Sequence, residues 1–255
     1  MRLPQLQGLI RRRILVNYRA DPAVLAELLP APFRPQLVGG AGLVGICLIR
    51  LEQLRPRHVP SCLGLVSENA AHRAAVEWDE AGTTRRGVFI WRRDTDAWLN
   101  AVAGGRLFPG RQQHARFRVN DDGEQLSLAM RSDDGRSEIE LAGGRSQDWP
   151  RNSVFGSLAD ASACLRGGSL GFSPGGAGAC FQGMELGCDC WPAEPFAVSH
   201  LRSTFFEDPL RFPPGSVEYD SALVMRDVRH QWRSGPTLDS PQAQKPASAQ
   251  KARVR

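Results

Sequence analysis

Hydrophobic residues alternate with small or polar residues along several stretches of the chain, and this alternation predicts β-strands. Two motifs, Asp121-Asp122-Gly123 and Asp133-Asp134-Gly135, separate neighbouring stretches. Because glycine has ready access to positive φ, such motifs are typical of hairpin turns. The predicted strands cover residues 13–18, 43–54, 63–78, 87–92, 114–119, 125–131, 137–141, 181–186, 196–198 and 217–228.

Three short helices are also predicted. The first begins after Asp21, a good N-cap, with Pro22 at the first helical position. The second, at 96–103, and the third, at 158–166, each follow a residue that can cap a helix. About ten strands and three helices, with strand runs joined by hairpins, indicate an α+β fold with a mainly antiparallel sheet. A sheet of that size usually curls into a barrel or a two-sheet sandwich.

Length and composition set the domain organisation. A chain of 255 residues can bury the core of one domain. From residue 233 the composition changes to proline, serine, alanine and glutamine, so we predict a domain of residues 1–232 and a disordered basic tail of residues 233–255. No apolar run approaches the ~20 residues that span a bilayer, and the start has no apolar signal core. We therefore expect a cytoplasmic protein with no membrane partner.

The net charge of +5 raises the question of a nucleic-acid partner. Most of the excess lies in the predicted tail, which holds five basic residues against the single acid Asp239: Arg233, Lys245, Lys251, Arg253 and Arg255. The remaining chain is nearly neutral and lacks the electrostatic footprint of a polyanion-binding domain. A basic tail binds nucleic acid weakly and with strong salt dependence. No specific nucleic-acid partner is expected.

The six cysteines contain no C-x-x-C pair. Cys180, Cys188 and Cys190, with His200 nearby, are the only set that suggests metal ligands, but the C-x-C spacing strains a single tetrahedral site. We expect free cysteines in a reducing compartment, with Cys47 in the core. No metal and no cofactor is predicted.

The densest group of polar residues lies between residues 67 and 116, and it begins with a predicted strand at 67–73. Side chains alternate between the two faces of a strand. Glu68 and His72 therefore share one face, and Asn69 and Arg73 share the other. Either face can line a cavity, and Glu68 with His72 would form an acid–base pair because histidine titrates near neutral pH. The alternative is that one face is exposed to solvent.

Arg93 follows the predicted buried strand at residues 87–92, and its planar guanidinium suits bidentate recognition of a carboxylate. The alternative is an ion pair from Arg93 to Asp94 or Asp96 that holds the turn after the strand. His114 opens a later strand, where it would serve as a general base, as a hydrogen-bond donor or as a structural residue.

Several segments between residues 10 and 232 resemble a family of uncharacterised bacterial proteins grouped with the acetoacetate decarboxylase-like superfamily. The segments are residues 13–18, 44–50, 67–73, 92–95, 104–110, 169–171, 205–208 and 212–218. The resemblance implies a cone-shaped, mainly antiparallel β-barrel with a central cavity, often assembled into homo-oligomers.

Acetoacetate decarboxylase itself is similar in a shorter segment, through its pattern G-R-x-x-x-G-x-x-K. Gly105, Arg106 and Gly110 match this pattern, and Gln113 stands where the family has the lysine that forms a Schiff base. No lysine precedes Lys245, so Schiff-base decarboxylation is not expected.

The resemblance implies a small carboxylate or keto-acid ligand in the cavity. We predict that this ligand is bound by Arg93, Arg106 and Gln113. Glu68, His72 and His114 would move protons in a lysine-independent acid–base or lyase reaction. The alternative is a barrel that binds a small ligand without converting it.

Overall fold

The computed structural model describes residues 5–97, 110, 112–175 and 180–240. These residues form thirteen β-strands, two α-helices and one 3-10 turn at Ser61–Leu63. The helices are α1 (Pro22–Leu28) and α2 (Leu158–Gly167). The strands are β1 (Leu6–Ala20), β2 (Arg34–Pro35), β3 (Leu37–Val38), β4 (Ala41–Pro56), β5 (Leu65–Glu80), β6 (Thr83–Thr95), β7 (Gln112–Asp121), β8 (Gln125–Ser132), β9 (Glu138–Arg145), β10 (Leu170–Pro174), β11 (Cys180–Cys188), β12 (Glu194–Ser203) and β13 (Val217–Asp239).

Both described helices begin where the sequence predicts, because side chains satisfy their free backbone N–H groups. The Oδ1 atom of Asp21 accepts hydrogen bonds from the backbone nitrogens of Ala23 (2.8 Å) and Val24 (3.1 Å). Ser157 Oγ accepts one from the backbone nitrogen of Asp160 at 3.1 Å. The second predicted helix, at 96–103, lies almost entirely outside the described residues.

Every strand predicted from alternation is present, and most extend beyond the predicted bounds. The two Asp-Asp-Gly motifs form the β7–β8 and β8–β9 turns, with positive φ at Gly123 (97°) and Gly135 (68°). Alternation did not predict the five-residue β10 or the two-residue β2 and β3. These segments are too short for a period of two to stand out.

The strands form one mixed sheet that closes into rings. In the described residues, one ring runs β6-β7-β8-β9-β12-β13-β1-β4-β5 and returns to β6, and a second runs β6-β10-β11-β13-β1-β4-β5. Most neighbours are antiparallel, but β6 pairs in parallel with both β7 and β10. The prediction of a mainly antiparallel sheet missed these two pairs. A long connection precedes β7 and another precedes β10, and such connections permit parallel pairing where a hairpin does not.

Both rings contain β6 and the consecutive strands β5, β4, β1 and β13, and we call these last four strands the shared wall. Both faces of the shared wall are buried. One face belongs to a core that includes Ile14, Val16, Val44, Ile46, Leu48, Ala70, Ala74 and Val224. The other belongs to a second core that includes Leu15, Leu43, Ile49, Ala75, Leu223 and Met225, and α2 contributes Ala161 and Leu165 to it.

The C-terminal strand β13 runs to Asp239, and its last residues pair with β11, with Asp239 opposite Cys180. The predicted domain boundary at residue 233 falls inside this strand. Residues 241–255, the remainder of the predicted tail, lie outside the described part of the chain. No helix in the described part is long and apolar enough to cross a membrane. All six cysteines are described, and none forms a disulfide bond.

A candidate binding cavity against the shared wall

A cavity with a volume of about 110 Å³ lies between the second face of the shared wall, β6, α2, β10 and β11. Most of its walls are apolar. Its polar lining includes three arginine side chains, two thiols and three amides: Arg13, Arg73, Arg93, Cys47, Cys164, Gln36, Asn69 and Gln112. Such a cavity, apolar with a few convergent polar groups, is typical of a small-molecule site.

Five cavity residues form one row across the sheet. In the strand register, each of these residues lies directly opposite the next one on the neighbouring strand: Leu15 (β1), Cys47 (β4), Ala71 (β5), Arg93 (β6) and Gln112 (β7). Directly opposed residues project from the same face of a sheet. The short side chains of Cys47 and Ala71 in the middle of the row leave space. The longer side chains of Arg93 and Gln112, at one end of the row, border this space.

Arg93 is held by its neighbours rather than by an acid. Its Nε donates a hydrogen bond to Ser173 Oγ at 3.2 Å. Gly110, one of the glycines of the sequence motif, has φ +80°, and a Cβ there would lie 2.7 Å from Ser173 Cβ. The glycine therefore provides both the unusual backbone conformation and the close approach to the serine that supports Arg93.

Arg73 lies two residues beyond Ala71 on β5, so it projects from the same face. It is 5% exposed, and its Nη2 donates to Asn17 Oδ1 at 2.9 Å, while its Nε has no hydrogen-bond partner. Arg13 lies two residues before Leu15 on β1, and its guanidinium is 5.5 Å from the ring centroid of Trp191. The Nε of Arg13 is also buried without a partner.

No carboxylate neutralises these three arginines. Within the described residues, Arg13, Arg73 and Arg93 form no salt bridge, and every Asp and Glu of the sequence belongs to those residues. Asp94 borders the cavity, but its carboxylate accepts three hydrogen bonds from Arg92. Burial lowers the pKa of Arg73 and of Arg93 to about 10, so both are still protonated at neutral pH. The cavity is therefore strongly cationic.

Glu68, a predicted catalytic residue, projects from the opposite face of β5, away from the cavity. Its carboxylate is held by Arg12 at 2.6 Å and by Arg50 at 3.2 Å, and Arg12 also contacts Asp121 at 3.0 Å. Burial raises the pKa of Glu68, and the two arginines oppose that rise. This arrangement is a buried ion-pair network inside the first ring.

His72 is fully buried on the same face as Glu68. Its ring stacks on Phe205 with centroids 4.4 Å apart, and neither ring nitrogen has a hydrogen-bond partner. Burial, with the nearby charges of Arg92 and Arg211, lowers the pKa of His72 to about 3. The two predicted acid–base residues therefore share a face, as alternation requires, but that face is not the one that lines the cavity.

The remaining predicted residues have different surroundings. His114 Nδ1 contacts Asp133 Oδ2 at 2.7 Å near the β8–β9 turn. Gln113 is half-buried and lies opposite Asp94 in the parallel register, and neither Gln113 nor His114 lines the cavity. Arg106 lies outside the described residues. Of the predicted site residues that are described, Arg93 alone borders the cavity. The roles predicted for the others remain predictions.

The sequence left two roles open for Arg93: recognition of a carboxylate, or an ion pair that holds the turn after the strand. In the structure the ion pairs are formed by the preceding residue, Arg92. Arg92 forms the structural ion pairs, with Asp94 at 2.7 Å and Asp134 at 2.9 Å. Burial opposes protonation of Arg92, but these hydrogen bonds outweigh it and raise its pKa. Arg93 is left free of acids and borders the cavity.

Sequence reasoning did not select Arg13, Arg73, Cys47 or Gln112 as site residues. Alternation had placed Arg73 on the same face as Asn69, and both residues do line the cavity, but alternation did not indicate which face of the strand borders it. Cys47, predicted in the core, borders the cavity and is partly accessible. In the described part of the chain, no group of His, Cys, Asp and Glu side chains could hold a metal ion.

The pattern of one protein family matches residues 9–162, which is more than half of the chain. The chain belongs to the DUF2071 family of uncharacterized conserved proteins. No curated protein sequence matches this DUF2071 chain significantly.

Several solved structures resemble this DUF2071 chain. Acetoacetate decarboxylase from Legionella pneumophila has a TM-score of 0.59 at 12% identity, over 92% of this chain and 88% of that one. An acetoacetate decarboxylase-like enzyme from Sphingomonas wittichii has a TM-score of 0.56 at 16% identity, over 92% of both chains. The enduracididine biosynthesis enzyme MppR, solved with HEPES buffer, has a TM-score of 0.60 at 15% identity, over 93% of this chain and 88% of that one. MppR has also been solved with pyruvate. At these identities the likeness shows an acetoacetate decarboxylase-like fold.

Proposed function

We propose that this protein binds a small organic acid, of the keto-acid class, in the arginine-lined cavity. One observation carries the proposal: Arg73 is buried and Arg93 is half-buried, and neither guanidinium has a carboxylate partner among the described residues. Burying a charge is costly unless the charge is paired. A carboxylate ligand would supply the missing partner through the bidentate geometry that guanidinium favours.

Arg93 and Gln112 are the groups that we expect to hold the ligand. They lie opposite each other on β6 and β7, and the Oε1 of Gln112 is buried without a hydrogen-bond partner. The amide would bind a hydroxyl or a keto-acid hydrate, and the guanidinium would bind the carboxylate. Arg106 and Gln113 stay predicted ligand-binding residues. The MppR structure with pyruvate supports the proposal, because a protein of this fold accommodates a small keto acid.

We further propose that the two rings of the sheet correspond to the cone-shaped barrel of the acetoacetate decarboxylase-like superfamily, and that the protein forms homo-oligomers as its relatives often do. The similarity over about nine-tenths of each chain supports the barrel.

Binding without turnover is the second candidate, and one observation favours it over acid–base chemistry. No histidine lines the cavity within the described residues, and its one bordering acid, Asp94, is paired with Arg92. The proton-transfer roles predicted for Glu68, His72 and His114 would require these side chains to reach the ligand, and Glu68 and His72 point into the first ring. A lyase on this site would need a proton donor other than these.

The proposal is tested by titration calorimetry with pyruvate, acetoacetate and 2-oxobutanoate. We expect binding to the wild-type protein and a loss of about tenfold or more in affinity in Arg93→Gln, because one charge-assisted bond is removed. The matched control is Arg131→Gln, since Arg131 is 76% exposed and does not line the cavity. The proposal is wrong if none of the three acids binds, or if Arg93→Gln binds them unchanged.

Analysis of the recovered ligand by mass spectrometry then separates the two candidates. An enzyme consumes the bound acid over time, whereas a binding protein returns it unchanged.

A further inference from the structure

One carboxylate cannot balance the positive charge of the cavity. Three guanidinium groups border the cavity, and the chain has no acid to offset any of them. A monocarboxylate bound at Arg93 would leave Arg13 and Arg73 uncompensated against apolar walls.

The three arginines fall into two groups. Arg93 lies on β6, and Arg13 lies on β1, three strands away across β5 and β4. Strands are spaced by ~4.8 Å, so the two backbones are about 14 Å apart. Arg73 belongs with Arg13, because its side chain extends from β5 toward β1, where its Nη2 donates to Asn17 Oδ1 at 2.9 Å. By contrast, the Arg93 side chain contacts β10, where its Nε donates to Ser173 Oγ at 3.2 Å.

The side chains between the two groups are short. Cys47 and Ala71 occupy the row between β1 and β6, and their size leaves the space that forms the cavity. The long arginine side chains approach this space from its two sides. An extended molecule lying over Cys47 and Ala71 would therefore present one end to Arg93 and the other to Arg13 and Arg73.

We propose that the ligand is a small dicarboxylate, with one carboxylate bound by Arg93 and the other by Arg13 and Arg73. This inference rests on the proposed function and narrows its ligand class from organic acids to dianionic ones. A volume of about 110 Å³ suits an acid of about four or five carbons, since one water needs roughly 10–15 Å³ on the same measure.

Trp191 holds Arg13 in place for this role. The Arg13 guanidinium lies 5.5 Å from the ring centroid of Trp191, and the exposed Arg166 lies 5.9 Å from the same ring. Arg166 does not line the cavity, so it provides a matched control with the same aromatic neighbour.

The test compares acids of equal chain length by titration calorimetry at low ionic strength. Succinate is paired with butanoate, and 2-oxoglutarate with 2-oxopentanoate. We expect each diacid to bind the wild-type protein at least about tenfold more tightly than its monoacid, which corresponds to about 1.4 kcal/mol. Arg13→Gln should reduce this preference to about twofold or less, whereas Arg13→Lys and Arg166→Gln should retain it.

A second measurement needs no variant. Raising the salt concentration screens charge interactions, so the affinity of the diacid should fall more steeply than that of the monoacid. Equal affinities for diacid and monoacid in the wild-type protein would overturn the dicarboxylate inference and leave the proposed function intact. Tighter binding of 3-phosphonopropanoate than of succinate would also overturn it, in favour of a phosphonate or phosphate group. Absence of binding by every acid would overturn the proposed function and this inference together.

Discussion

Arg93 and Gln112 lie directly opposite each other on the parallel strands β6 and β7, and both border the cavity. Gln113 is the residue at the lysine position of the decarboxylase pattern, and it does not border the cavity. The side chain best placed to meet a ligand beside Arg93 is therefore one residue earlier than the pattern indicates.

The wild-type protein is expected to form no Schiff base, because the described cavity residues include no lysine. Borohydride reduction with pyruvate should leave the mass of the protein unchanged. Gln112→Lys should create an amine in the cavity, and burial beside Arg93 should lower its pKa so that it attacks the ketone. We expect a covalent adduct at this position by peptide mass spectrometry.

Gln113→Lys is the matched control for that experiment, since it adds the same amine one residue away. It should give little adduct under the same conditions. More adduct in Gln113→Lys than in Gln112→Lys would contradict the assignment of Gln112 to the cavity, and an adduct on the wild-type chain would contradict the first expectation.

Ala71→Leu should close the cavity, because Ala71 lies between Cys47 and Arg93 in the row. The larger leucine side chain would occupy space that the ligand needs. Because Ala71 borders the cavity, we expect the overpacking to lower the free energy of unfolding by only about 1–3 kcal/mol. We expect organic-acid binding to be lost by calorimetry with the circular dichroism spectrum unchanged. A variant that still binds pyruvate like the wild type would show that the ligand lies elsewhere.

Arg92→Gln should destabilise the protein without acting directly on the ligand. Asp94 is fully buried, and Arg92 is its ion-pair partner at 2.7 Å. Leaving a buried carboxylate without its partner costs about 3–5 kcal/mol. Urea unfolding should show this loss, whereas Arg131→Gln, at an exposed ion pair, should change the free energy of unfolding by about 0–1 kcal/mol. Similar values for the two variants would contradict the structural role of Arg92.

His72 should make the protein less stable in mild acid. Its pKa is about 3 in the folded protein and near 6.5 when exposed, so the unfolded chain binds the proton first as the pH falls. The contribution of neutral His72 is present above pH 6.5 and declines between pH 6.5 and 3. Between pH 7 and pH 5 this amounts to about 2 kcal/mol, at about 1.4 kcal/mol per pH unit.

His72→Phe keeps an aromatic ring against Phe205 and removes the titrating group. The free energy of unfolding of this variant should therefore fall less between pH 7 and pH 5 than that of the wild type. His58→Gln, at an exposed histidine, serves as the control and should follow the wild type. If His72→Phe also follows the wild type, another group causes the acid sensitivity.

The elements were predictable from local pattern, and the site was not. Alternation located the strands, and capping residues located α1 and α2, because these signals depend on neighbours in sequence. Alternation also separated His72 from Arg73, and by the same rule the neighbours Arg92 and Arg93 lie on opposite faces of their strand. It could not indicate which member of each pair borders the cavity, because both faces of β5 are buried here and Arg92 and Arg93 on β6 are both half-buried, so no solvent-exposed face distinguishes them.

The other features that the sequence left undetermined depend on pairing between strands that are distant in sequence. Arg13 reaches the cavity of Arg93 only because β1 pairs with β4, and β4 with β5. The parallel pairs of β6 follow from connections that no turn motif marks. An unpaired arginine is recognised only once every acid has been placed, and that requires the folded chain.

The shared wall also limits how this protein can change over evolutionary time. Its neighbouring residues serve two separate interiors, one packed with aromatic and aliphatic side chains and the other holding the cavity. Inserting or deleting a single residue in β5 would reverse which of its side chains face each interior. His72 would then face the arginines, and Arg73 would face the hydrophobic core. Substitutions can reshape either interior independently, but the length of these strands must be inherited unchanged.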